Sequence, residues 1–164
     1  MKIKEAFSLT GRVYVRLDYK DQQVDHYKAD NLIVLLPRQR LLSTIYSTAS
    51  TAPDPVTTLK VGNGGSIDAQ GLYPRPVSKA MTALFAHPSS VYSFPLTTPV
   101  DGLVESAPSI LFVADIAEED MNGVLINEIG LFTQGGTMFS IKTLPAIPKT
   151  STFSVHVEWT IDFS

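Results

Sequence analysis

The chain has 164 residues, 44% of them apolar and 18% charged, with a formal net charge of -3 and no cysteine. That length buries a sizeable core without metal or disulfide staples, and the missing thiols exclude disulfides, thiolate zinc sites, iron–sulfur clusters and cysteine nucleophiles. With no block of like charge there is no electrostatic footprint for a nucleic-acid backbone or an anionic membrane, and the surface must draw on Ser, Thr, Gln and Asn.

The opening stretch MKIKEAFSLTGRVYV has two lysines but no following apolar core of signal-peptide length. No run approaches the roughly 18 to 20 apolar residues of a membrane span, so synthesis and folding in a cytoplasm are expected, without membrane insertion. GRVYVRLDYKDQQVDHY sets Val13, Val15 and Leu17 against Tyr14, Arg16 and Asp18, then reaches polar turn residues before Val24 and Tyr27. Successive strand side chains point to opposite faces, so this stretch predicts a hairpin.

In NLIVLLPRQRLLSTIYS an apolar run meets Pro37, whose fixed φ suits a first helical turn, and Leu41, Leu42, Ile45 and Tyr46 follow at helical spacing. A short helix from about Pro37 to Tyr46 is predicted. STASTAPDP then reads as an exposed linker delivering the chain to VTTLKVGNGG, a strand ending in a glycine-rich turn.

Between Ser66 and Ser109, prolines at 74, 76, 88, 95, 99 and 108 break up long elements and leave short strands such as KAMTALF and SVYSFPL. Proline lacks the N–H that a central strand donates, so these are expected as loops or edge strands. SILFVADI is apolar on both faces, as in a strand covered on both sides, and the acidic AEEDMNG follows as a turn.

VLINEIGLF and TMFSIKTL flank Gln134, Gly135 and Gly136, a composition that predicts a second hairpin. On its first strand Ile126, Glu128, Gly130 and Phe132 are expected to share a face. Last comes FSVHVEWTIDFS, where Phe153, Val155, Val157, Trp159, Ile161 and Phe163 alternate with Ser154, His156, Glu158, Thr160 and Asp162. With no internal repeat, these elements predict one domain spanning residues 1–164, mainly β, as an antiparallel β-sandwich with one short α-helix.

Glu128 stands among large apolar residues, where an unpaired carboxylate is costly. It is either a general acid or metal ligand, or an architectural acid. The architectural acid pairs with Arg12, Arg16, Arg38, Arg40 or Arg75, or with a lysine, or accepts backbone N–H groups from a neighbouring loop. Catalysis needs a second titratable group and none lies nearby in sequence, which favours architecture.

KVGNGGSID lacks Walker spacing and a following helix pattern, so it reads as a tight turn, and DIAEEDMNG fails the calcium-loop pattern. His26, His87 and His156 lack zinc spacing, and His156 on the polar face of the last strand is expected in solvent. No serine sits in a nucleophile elbow. No catalytic residue, metal, cofactor or small-molecule substrate is therefore nominated. Trp159 reads as a core aromatic, with an exposed sugar platform as the sharper alternative. Tyr14, on a polar strand face, and Tyr73 and Tyr92, in proline-rich segments, are the candidates for partner contact.

Taken in order, NLIVLLPRQRLLSTI, LKVGNGG and NEIGLFTQGGTMFSIKTLPAIPKTSTFSVHVEWTIDFS resemble small virion proteins of tailed bacteriophages. In those proteins an N-L-[IV]-[VT] strand precedes a short helix and an [LI]-x-[LV]-G-x-G turn, and the chain closes with EIGLF…G…F and K…V.WTI.F strands. The resemblance spans roughly Leu9 to Phe163 and is weakest between Ile67 and Ser109.

It implies a non-enzymatic structural subunit of the tail, baseplate, neck or fibre-attachment apparatus, made in the host cytoplasm. Its partners would be itself, as a ring or trimer, and other phage structural proteins. For Glu128 it implies an anchor for a loop or a neighbouring subunit. A receptor- or glycan-binding module at the tail tip is the alternative. A small hydrolase would need a cleft in which Glu128 meets another acid or a histidine.

Overall fold

A computed structural model describes residues 9–35, 54–97, 100–104 and 107–163. The helix expected from Pro37 to Tyr46 lies outside the described residues, as does most of the linker before Asp54. The described chain forms two five-stranded sheets.

In sheet one, β1 (Leu9–Tyr19) pairs with β2 (Gln22–Asp30) as the predicted hairpin. On its other side β1 lies against the final strand, and the described pairings throughout the sheet are antiparallel. In sheet two, β3 (Leu32–Ile33) and β4 (Val56–Gly62) flank the second predicted hairpin, with β5 (Tyr92–Pro95) at the edge beyond β4.

The remaining strands are β6 (Val100–Val104), β7 (Ala107–Ile116), β8 (Leu125–Thr133), β9 (Met138–Pro148) and β10 (Phe153–Phe163). Spatial order is β2-β1-β10-β7-β6 in one sheet and β3-β9-β8-β4-β5 in the other, an antiparallel β-sandwich. Gly136, at φ 81°, supplies the left-handed residue that the β8–β9 turn requires.

The core lies where the predicted alternation meets the other sheet. Val13, Val15 and Leu17 of β1 and Val155, Val157, Trp159 and Ile161 of β10 join Leu59, Val61, Ile129, Leu131 and Leu144. A second cluster, of Val34, Leu84, Phe132, Met138 and Ile141, gains Val77, Met81 and Val91 from the proline-rich segment. Phe132 thus faces away from Leu131, and segment 77–91 covers the outer face of sheet two.

Three strand expectations change. KAMTALF forms no strand; it is an irregular strap whose Leu84 and Ala86 are buried on sheet two. SILFVADI is covered on one face only: Phe112, Ala114 and Ile116 are buried, Leu111 and Val113 are half-buried and Asp115 is exposed. The predicted face of Ile126, Glu128, Gly130 and Phe132 is also broken. A register shift between Ile126 and Glu128 leaves Ile126 in the main core with Ile129 and Leu131, because the extra residue of a bulge reverses the side-chain alternation.

Candidate functional site

The bulge aims Glu128 away from the main core, under the strap. Glu128 is fully buried. Its Oε1 accepts the N–H groups of Gly64 at 3.1 Å and Ala86 at 2.7 Å, and its Oε2 accepts that of Phe85 at 2.7 Å. The neighbouring Asn127 Oδ1 accepts Gly65 N–H at 2.7 Å. Two short polar side chains thereby hold the glycine turn after β4 and the strap to one point of β8, and charge-assisted bonds to backbone donors are the strong kind.

The approach is so close that positions 62 and 64 of the turn admit only glycine. A Cβ on Gly62 would lie 2.6 Å from Glu128 Oε1 and 2.8 Å from Ala86 Cβ, and one on Gly64 would lie 2.7 Å from Ala86 Cα. None of the candidate arginines among the described residues takes Glu128. Arg12 pairs with Asp162, Arg16 with Asp18, and Arg75 donates to the Ser66 carbonyl while lying over the Phe85 ring. Arg38 and Arg40 lie outside the described residues.

After the glycine turn the chain makes a second ordered loop. Asp68 accepts from the Ser66 hydroxyl at 2.7 Å, from Tyr73 N–H at 2.9 Å and from Leu72 N–H at 3.2 Å. These bonds, the Ser66 hydroxyl first, hold its carboxyl down at about 2. Gly71, at φ 77°, accepts Ala146 N–H through its carbonyl at 3.0 Å, which ties the loop to β9.

Tyr73 projects from this loop into solvent, and Tyr92 lies partly exposed on the edge strand β5. Tyr14 stands on the other sheet. Its phenol donates to Asp25, the chief reason its pKa is raised, in a shallow depression of about 360 Å³ that also involves Arg12, Lys28 and Glu158.

Trp159 is buried against sheet two. With the Asn31 amide oriented by its surroundings, the oxygen accepts the indole N–H of Trp159 and the nitrogen donates to the Gly11 carbonyl. The Ser140 hydroxyl sits at the same amide and donates to the Leu32 carbonyl at 3.0 Å, so this polar junction joins the two sheets. Glu128, Trp159 and the three tyrosines are thus not gathered into one cleft.

His156, expected in solvent, is largely covered, with Nδ1 2.6 Å from Asp115 and Nε2 3.3 Å from Glu158. No group of three or more His, Asp or Glu side chains able to hold a metal occurs among the described residues. No helix of the described residues is long and apolar enough to cross a membrane.

Lys149 escaped sequence reasoning altogether. Although only 1% exposed, it donates from Nζ to the carbonyls of Glu118 at 3.0 Å and Thr150 at 2.9 Å. Burial pushes its pKa down, against the pull of Asp120, Glu118 and Glu119. The acidic AEEDMNG turn therefore encloses a cation of its own chain. The available signal was a lone lysine directly after an apolar strand, which periodicity does not flag.

Comparison with known proteins returns no matching family model, no matching curated protein and no matching solved structure.

Proposed function

We propose that the chain is a non-enzymatic structural subunit of a tailed-phage virion. It assembles in the tail, baseplate or neck and contacts copies of itself and other virion proteins such as fibres. The observation that carries the reading is the junction at Glu128. LKVGNGG and NEIGLF, two stretches on which the phage resemblance rests, meet there through Gly64 to Glu128 and Gly65 to Asn127 hydrogen bonds. Both Glu128 oxygens are occupied by backbone amides, a use of the acid that builds loops.

A low-charge sandwich with open sheet edges, such as the nine-residue β2, suits assembly through many faces. The test is light scattering coupled to size exclusion, with and without particle lysate. Co-migration with virion proteins, as a single chain or as a closed ring or trimer, supports the reading. A stable monomer that ignores virion proteins rejects it.

One feature favours the tail-tip binder as a second reading: the Tyr14 depression, where an aromatic ring meets Arg12, Asp25, Lys28 and Glu158. Binding of the chain to host-cell envelope or glycans, abolished by Tyr14→Ala, would move that reading ahead.

A further inference from the structure

Large apolar side chains are normally scattered singly over a surface, and a concentrated set marks an interaction site. In this chain Ile67, Leu72 and Tyr73 are 67%, 67% and 66% exposed, more than any other large apolar residue among the described ones, and all three lie in one short loop. The loop is bonded throughout: Ile67 N–H donates to the Tyr73 carbonyl at 2.9 Å, and Asp68 and the Ala146 tie hold the rest. Exposed apolar groups on a preorganised backbone lose little entropy when buried by a partner.

Elsewhere on the same chain, over β4, β5 and β8, a cleft of about 290 Å³ is lined by Leu84, Pro88, Val91 and Phe132, with Lys60 and Ser93 at its polar side. The Lys60 ammonium lies 4.4 Å from the centre of the Phe132 ring. No carboxylate among the described residues forms an ion pair with it. The loop offers the complement: exposed apolar side chains beside the Asp68 carboxylate, which accepts the Leu72 and Tyr73 amides.

We infer that the 66–74 loop is a knob that seats in the Lys60–Phe132 cleft of a second copy of this chain. Leu72 and Tyr73 pack into the cleft over its Leu84, Val91 and Phe132 lining, and the Asp68 charge approaches Lys60. Knob and cleft are different surfaces, so each copy keeps one of each free for the next copy, the head-to-tail contact from which rings are built. The inference deepens the virion-subunit reading and rests on its expectation of self-assembly.

The test is complementation, read by light scattering on the full chain over a concentration series. The knob variant is Leu72→Ser with Tyr73→Ser, and the cleft variant is Ala83→Trp; all three positions are exposed, and melting curves matching the parent establish folding. Each variant alone should associate at least tenfold more weakly than the parent, and more salt should weaken the parent. Mixing the two should restore a two-chain complex, because the intact cleft of one accepts the intact knob of the other.

Parent-like assembly of either variant overturns the inference, as does a mixture that stays monomeric. A parent that is monomeric alone but joins virion proteins also overturns it, while leaving the subunit reading standing. Knob-dependent assembly that ignores virion proteins does the reverse.

Discussion

Glu128 and Ala86 meet in a 2.7 Å hydrogen bond between a fully buried carboxylate and a backbone amide 42 residues away in sequence. Through this bond and that of Phe85, an irregular strap without strand pairing is tied to β8. Replacing Glu128 by Gln keeps the shape but sets an amide NH₂ where a carboxylate oxygen accepts N–H groups. A loss of about 1.5 to 3 kcal/mol is expected, seen as a lower melting temperature. An unchanged melting point with intact assembly would reject the anchoring role.

Gly64→Ala tests the same junction from the turn. The new Cβ would lie 2.7 Å from Ala86 Cα, a backbone atom that cannot swing aside. We expect a cost of about 1 to 3 kcal/mol. Hydrogen exchange at the Phe85 and Ala86 amides should accelerate, and unchanged protection there would mean that the strap is held by other contacts.

Trp159→Ala removes the largest fully buried side chain and leaves the Asn31 amide without its indole donor. The expected loss is about 3 to 5 kcal/mol by denaturant titration. A loss below about 1 kcal/mol would mean an accessible ring and would revive the platform reading.

Asp68 makes the 66–74 loop acid-sensitive in a defined window. Its folded pKa, about 2, lies below the ordinary 3.8, so the folded loop is favoured above the ordinary value and loses that advantage as pH falls toward about 2. In the folded chain the amide signals of Leu72 and Tyr73 should shift with a midpoint at about 2, and Asp68→Asn should abolish the transition. A titration midpoint near 3.8 would contradict the hydrogen-bond geometry.

Lys149 should act at the other end of the pH scale. Burial holds its pKa below the ordinary 10.5, so the unfolded chain binds that proton more readily and this residue's contribution to stability rises as pH climbs toward 10.5. Lys149→Met should remove that rise and, by stripping the Glu118 and Thr150 carbonyls of a donor, cost about 1 to 3 kcal/mol at neutral pH. Parallel pH–stability curves for the two proteins would argue against it.

Much of the fold was legible in the residues alone, because a half-buried antiparallel strand writes its burial as period-two alternation. β1 and β10 carry that pattern, and Gly136 marks the turn of the β8–β9 hairpin. What sequence by itself determined was therefore the fold class, these hairpins and the oddness of an acid at position 128.

Tertiary structure alone decided where that acid points and what it holds. The bulge before Glu128 reverses its facing, and the donors from Phe85 and Ala86 come from a strap whose prolines suppress any periodic signal. The enclosure of Lys149 by the acidic turn and the Asn31 junction with Trp159 belong to the same class. Each depends on residues brought together across long loops, and distances of that kind leave no period in a sequence for local patterning to report.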